Sequence, residues 1–361
     1  MEFSISAKEL VKLILPLQAV IKETHVVPIL QNVKLEFTGK KLYATGENLE
    51  INCKSSMKLY SEKINVCVPF TMLLATLKTV TDKEVSISIS SKVMLITHKK
   101  GKFKIPAESS KKFPVIEKEQ FDKAASFNPK AFKSSIKVAN KFILSDDIAA
   151  ISNISISIGK KVFIRSTDKS RLFEEVIKGS GDEGNILISG RSSVALFSLI
   201  EDSEDEIKIK FNSEKIHFQF DNSEVIVVQQ NGNFPTAIFG KILDCMKQAE
   251  KLTLNHKELL TSLRRVSVLS TREKAPIVRL DLTKKEANIS CENIAFSTKS
   301  EEKIEIKFDS KRTIGYNYKY LIEILSIFEK EPELFVDERN SLFIKYKKKI
   351  GCLAPVMLSN S

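Results

Sequence analysis

Apolar and polar positions along this chain follow two periods, and the change from one to the other repeats. Residues 6–22 place Leu10, Ile14, Leu17 and Ile21 on one side of a 3.6-residue helix. Ser6 followed by Glu9 is a capping-box pattern for its start, and Pro16 inside the run removes an N–H and should bend the rod. The pattern returns in residues 128–144 and most clearly in residues 255–271, NHKELLTSLRRVSVLST, where Asn255 and Glu258 make another capping pair. The three starts lie about 120 residues apart, too far for stacked solenoid units, so whole domains are repeated. About 60 residues after each start a second helical run follows, in residues 69–80, 189–200 and 316–328.

Everything between these runs alternates with period two and is punctuated by turns, as in VSISIS, KVMLITH, IKIKF, KIHFQF, EVIVVQ and IVRLDL. The order helix, strands, helix, strands predicts an α+β fold of three similar domains, 1–123, 124–247 and 248–361, each with two helices packed on antiparallel sheets. Phe113-Pro114, Phe234-Pro235 and Ala354-Pro355 read as strand-ending prolines that close the repeats. Short polar linkers are expected near residues 121–126 and 244–250, and the acidic stretch 201–206 reads as a solvated turn.

Composition narrows the class. With 42% hydrophobic and 28% charged residues, no long apolar run and no charged-then-apolar leader, the chain reads as a soluble cytoplasmic protein without a membrane partner. Its five cysteines, Cys53, Cys67, Cys245, Cys291 and Cys352, include no CxxC pair, and its four histidines share no ligand spacing. No metal site, cofactor or catalytic nucleophile is expected.

Charge is the more informative property. Lys and Arg number 57 against 45 Asp and Glu, a formal net charge of +12. In residues 128–144, Lys130, Lys133, Lys137 and Lys141 recur at spacings of three and four with no acidic residue among them, a self-repelling face that suits a polyanion. Lys8, Lys12, Lys257, Arg264 and Arg265 on the other first helices, and Lys78, Arg191 and Lys319 on the second helices, give every helix a cation. If equivalent helices line one concave surface, these charges converge on nucleic-acid phosphates without reading bases.

Several segments carry a resemblance to a known family. They are Pro28-Ile29-Leu30 with Asn32-Val33, ATGENLE, STDKSRL, the two Phe-Pro marks, RRVSVLS, VRLDL, TIGYNYKYLIEIL and the end CLAPVML. Together they resemble the bacterial sliding clamp, the beta subunit of DNA polymerase III, over nearly the whole chain. The resemblance implies the DNA-clamp fold and a head-to-tail homodimer ring encircling double-stranded DNA. It also implies a non-catalytic processivity factor of the polymerase III holoenzyme in DNA replication.

Implied partners are the polymerase III alpha subunit, the clamp loader and other clamp-binding-motif proteins. The family's partner-peptide pocket carries over to Ile151, Thr167, Arg171, Leu172, Pro235, Ser341, Leu353, Pro355, Val356 and Leu358. An apolar groove edged by the Arg171 cation would suit a peptide anchored by leucine or phenylalanine. This sequence has Lys169-Ser170 where the family usually has Gly-His, a changed tail at 354–358, and the added Ser359-Asn360-Ser361. Those departures leave room for a paralogue serving repair, a mobile element or a specialised polymerase.

Two other readings use the same residues. A hydrolase or transferase would need an acidic pair such as Asp146-Asp147 or Glu174-Glu175, but neighbours on a strand point to opposite faces. A basic protein that coats nucleic acid would keep the lysines and need no dimer.

Overall fold

In the computed structural model the described residues are 2–114, 120–144, 150–200, 206–220, 222–270, 276–293, 296–328 and 330–358. Seven helices stand among them: α1 (Ala7–Ile14), α2 (Phe70–Thr79), α3 (Pro129–Ala139), α4 (Gly190–Leu199), α5 (Thr236–Met246), α6 (His256–Val266) and α7 (Tyr318–Ser326). All but α5 coincide with the helical runs expected from periodicity.

The three first helices are shorter than their patterns, and each tightens into a 3₁₀ turn. Leu15–Ala19 follows α1, because Pro16 has no N–H to return to the carbonyl four residues back. Asn140–Phe142 follows α3 and Ser267–Ser270 follows α6; Thr271 lies outside the described residues. Asn128 and Asn255 cap their helices by accepting from Ala131 N at 2.9 Å and Glu258 N at 3.1 Å. Ser6 makes no such side-chain bond. The second helices are capped by Ser189, which accepts from Ser192 N, and Asn317, which accepts from Lys319 N and Tyr320 N.

The strands form two compact units. The first comprises residues 1–137, 157–162 and 178–231, and the second residues 138–156, 163–177 and 232–361. In the first unit, strands Glu2–Ile5, Val85–Ile89, Val93–His98 and Gly101–Pro106 make a four-stranded sheet in that order. A ten-stranded sheet joins strands of the first and second repeats where Ser223–Val228 pairs antiparallel with Ile51–Lys58, Val225 opposite Cys53. Lys123–Phe127 is a strand inside this sheet, paired with Ile207–Phe211, so the linker expected at 121–126 is mostly ladder. The core beneath α3 is aromatic: Phe132 stacks on Phe127 at 5.0 Å and leans on Phe218 at 6.1 Å.

In the second unit, strand Arg171–Ile177 pairs with Lys349–Leu353, which continues through Leu342–Tyr346 and Glu333–Val336 to Glu250–Leu254. Second- and third-repeat strands thus share one antiparallel ladder. Helix α7 packs on Lys349–Leu353 and α6 on Glu286–Asn293 and Thr298–Lys307, the two helices tied by His256, whose Nε2 is 3.0 Å from the Leu325 carbonyl. The linker expected at 244–250 begins instead inside α5, which runs to Met246.

Candidate nucleic-acid and partner-binding surfaces

Helix α3 separates its residues cleanly. Phe132, Ser135, Ile136 and Ala139 are buried, whereas Lys130, Lys137 and Lys141 are exposed and Lys133 is half-buried. The apolar side is fixed by the aromatic core, so the pleat of that packing turns the lysines outward. Lys8 and Lys12 on α1, Lys78 on α2, Arg191 on α4 and Lys319 on α7 are exposed as well.

On α6 the cations differ among themselves. Lys257 and Arg264 are exposed, but Arg265 is held in a bidentate fork by Glu302, with Nε–Oε1 at 2.6 Å and Nη2–Oε2 at 2.7 Å. Glu302 belongs to strand Thr298–Lys307, and the guanidinium's hydrogen bonds hold its carboxyl below the usual range. The expected phosphate contact at Arg265 is therefore already matched by an internal anion.

The predicted partner groove lies in the second unit, and the strand pleat divides its members. Arg171 stands opposite Leu353, and Leu353 opposite Leu342. Leu172 stands opposite Cys352, and Cys352 opposite Phe343. Successive residues of a strand point to opposite faces, so Leu172 and Leu353 cannot line one surface. Leu353 is buried in the core on the Arg171 side, finishing that core as a terminal apolar strand does.

Arg171 is not the groove's edge cation. Only 5% exposed, it sends Nε to Asp168 Oδ2 at 2.8 Å, Nη1 to Glu323 Oε2 at 2.5 Å and Nη2 to the Lys141 carbonyl at 2.8 Å. Its guanidinium carbon lies over the rings of Phe142, 4.8 Å from the centroid, and Tyr320, 4.1 Å from the centroid. The 3₁₀ turn after α3 leaves the Lys141 carbonyl without its helical partner and makes it available to Arg171.

The other face is apolar and is where the missed helix sits. Leu172, Phe343 and Cys352 cluster with Phe239 of α5, and Phe234, Ile242 and Met246 pack on them. Arg165 bridges the same face, paired with Glu174 at 2.6 Å and lying over Phe163 and, at 5.8 Å, over Phe239. Pro235 begins α5 instead of ending a strand, since its fixed φ suits a helix start. Phe239, Phe343, Ile242 and Met246 were not anticipated. Once the tail is paired in register with Leu172, the cross-strand partners Cys352 and Phe343 follow.

The tail is held by two backbone bonds. Ala354 N donates to the Ser170 carbonyl at 2.9 Å and Val356 N to the Gly315 carbonyl at 2.8 Å. Leu358 lies over Gly315 so closely that a Cβ there would come within 2.7 Å of its Cδ2. Pro355, Val356 and Leu358 are half-buried, as are Ser341, Thr167 and Ile151. Thr167 Oγ1 donates to the Arg171 carbonyl at 2.6 Å, and Ser341 N to Asp337 Oδ1 at 2.7 Å. The Ile151 carbonyl accepts from Leu144 N at 3.3 Å, away from the tail's own bonds. Residues 359–361 lie outside the described residues.

The Glu174-Glu175 pair does not form an acid–base couple. Glu174 is bound to Arg165 and Glu175 to Lys349 at 3.5 Å, and Asp146-Asp147 lies outside the described residues, as does most of the acidic turn at 201–206. Among the described residues no cluster of three or more His, Cys, Asp and Glu could hold a metal, and no helix is long and apolar enough to cross a membrane. Cys53, Cys67 and Cys352 are buried thiols, each pushed up to about 12 by desolvation.

This architecture is the DNA sliding-clamp fold. A solved sliding clamp from Pseudomonas aeruginosa, bound to griselimycin, superposes with a TM-score of 0.91 at 19% identity, covering 99% of this chain and 100% of that one. The clamp from Bacillus subtilis gives 0.89 at 17%, covering 99% of each chain. Among curated relatives, the beta sliding clamp of Haemophilus influenzae is 21% identical over 335 residues, 90% of each chain. That of Staphylococcus aureus is 21% identical over 349 residues, 92% of this chain and 91% of that one. Residues 1–117 match the model of the DNA polymerase III beta subunit N-terminal domain and residues 246–347 that of its C-terminal domain, together more than half of the chain. The chain belongs to the DNA polymerase III beta-subunit family.

Proposed function

We infer that the protein is a DNA sliding clamp, the processivity factor that encircles duplex DNA and tethers the replicative polymerase during replication. Three similar domains, 1–123, 124–247 and 248–361, repeat twice in a head-to-tail dimer to make a closed ring. The helix cations face phosphates, each contact weak, sequence-independent and salt-sensitive, so the ring slides. The clamp itself performs no chemistry; nucleotide transfer belongs to the polymerase III alpha subunit, and a clamp loader opens the ring. The cytoplasm is the matching location.

A pair of open strand edges carries the ring reading. Strand Gly101–Pro106 is the last strand of its sheet, with Lys102 and Lys104 exposed. Strand Thr298–Lys307 pairs with Glu286–Asn293 through Glu305, but with Glu250–Leu254 only at Ile306 and Lys307. Among the described residues its other edge is open from Thr298 to Glu305, with Glu301 and Glu305 exposed. The adjoining 3₁₀ turn exposes Val268 (61%) and Leu269 (50%). Open edges with exposed apolar flanks invite strand addition, and two different edges per chain make the contact heterologous, which closes a ring when the rotation allows.

Partner peptides dock on the Leu172 face and the tail: Thr167, Leu172, Pro235, Pro355, Val356 and Leu358, with Ser341 and Ile151 at the margin. Arg171 and Leu353 shape the groove from behind.

Sedimentation equilibrium tests the ring. The wild type should run at twice the chain mass of 40.7 kDa, and Leu269→Asp, an exposed change, should leave a folded monomer that does not stay on circular DNA. A monomeric wild type, or a dimer unaffected by Leu269→Asp and Val268→Asp together, contradicts the proposed interface.

A further inference from the structure

One end of the ten-stranded sheet carries charge that no helix explains. Strands Ile51–Lys58, Lys41–Glu47, Asn32–Phe37 and Ile64–Pro69 lie side by side there. The turn 38–40 and the connection 59–63 meet at that end: Leu59 N donates to the Lys40 carbonyl at 3.1 Å and Ser61 N to the Gly39 carbonyl at 3.4 Å. Gly39, at φ +97°, lets the Lys63 stem lie over it, with Cε 3.8 Å from where a Cβ would stand. Strand Ile64–Pro69 leads from this end to the start of α2, so its 6 residues set the cluster about 20 Å from that helix.

Lys40, Lys41, Lys58 and Lys63 are all exposed, and Lys41 stands directly opposite Lys58. Like charges facing each other across a ladder destabilise it. Acids on the same face are engaged elsewhere: Glu36 is 3.4 Å from Lys34, and Glu224 is hydrogen-bonded at 3.1 Å to His217. The connection itself adds one acid, Glu62, to the four lysines. Aromatic rings are interleaved with this charge. Tyr60, in the connection, is 77% exposed. Tyr43 lies two residues along the ladder face from Lys41, with Lys54 Nζ 4.4 Å from its ring centroid.

Repelling ammonium groups kept together on a surface suit an anion, and an open tyrosine ring beside them offers a base a stacking face. An acidic peptide would satisfy the lysines but give the Tyr60 ring nothing to stack on, and a duplex keeps its bases stacked inside. We propose that this end of the sheet binds single-stranded nucleic acid, with Tyr60 stacking on a base and Lys40, Lys41, Lys58 and Lys63 holding the flanking phosphates. The site is separate from the helix cations and reads no base sequence.

Fluorescence anisotropy on the full-length protein tests it with a fluorescein-labelled oligothymidylate of about twelve nucleotides. The wild type should bind it, and so should the variant carrying Lys130→Glu, Lys137→Glu and Lys141→Glu. Tyr60→Ala should weaken binding roughly tenfold and Tyr60→Phe should restore it. Lys41→Gln with Lys58→Gln should lower the log–log salt slope by about 1.4 and melt no lower than the wild type, because the facing charges are gone. No binding of the oligonucleotide, full binding by Tyr60→Ala, or loss of binding in the triple α3 variant overturns the proposal. So does equal competition by a hairpin duplex, which marks a plain phosphate surface, or by an oligo-aspartate peptide, which marks a site for an acidic protein. None of these outcomes bears on whether the ring closes.

Discussion

Helices α3 and α6 are capped by the same residue type and bury one apolar side, yet their charges are committed differently. No carboxylate lies on α3, and Lys130, Lys137 and Lys141 stand in solvent. On α6, Glu258 occupies the first turn and Glu302 reaches across from a strand to hold Arg265. A cation count therefore does not measure what a surface offers to DNA. The quantity that matters is charge left unmatched after folding, and that depends on residues far away in sequence.

Arg171 is the extreme of the committed kind, and its loss should have the largest effect. Arg171→Ala strands Asp168 and Glu323 without their partner and should destabilise the fold by about 3–5 kcal/mol in urea denaturation. A loss below about 1 kcal/mol would mean the clasp is slack and the contrast with α3 overstated. Next comes the uncommitted kind. Lys130→Glu, Lys137→Glu and Lys141→Glu together should lower the log–log salt slope of DNA binding by about 3 while leaving the urea midpoint near that of the wild type. An unchanged slope would take α3 off the DNA surface.

Arg265→Ala sharpens the comparison from the other side, with little change in either stability or salt slope. A fall of about 1 in the slope would show that Glu302 yields to phosphate and that α6 behaves as α3 does. The smallest effect concerns the buried sides. Burial pushes His256 below the usual histidine range, so the folded state favours the neutral ring. Its contribution is present above about pH 6.5 and is lost as pH falls through the depressed folded value. Amide-exchange protection of α6 should weaken on mild acidification and that of α3 should not; His256→Gln should abolish the difference.

The six amphipathic helices and the lysine stripe were legible because periodicity and spacing are local. Helix α5 was not: Phe234-Pro235 looks like a strand end, and the helix buries only Phe239, so its apolar period is weak. The fate of Arg171 was equally hidden, since a buried, stacked guanidinium and a groove-edge cation have the same sequence. Opposite faces for Leu172 and Leu353 could have been read from strand alternation once the tail is known to pair in register with Arg171 and Leu172. What stayed illegible is which edge, carbonyl or carboxylate each group meets across the fold.

Topological linkage to DNA is the central claim, and one measurement addresses it most directly. The protein is loaded by its clamp loader onto nicked circular DNA, excess protein is removed, and the circle is cut once. A sliding ring leaves the linear molecule through its ends and stays on the uncut circle, even at salt that abolishes direct binding. Equal retention on cut and uncut DNA would contradict encirclement and leave a basic protein that coats its nucleic acid.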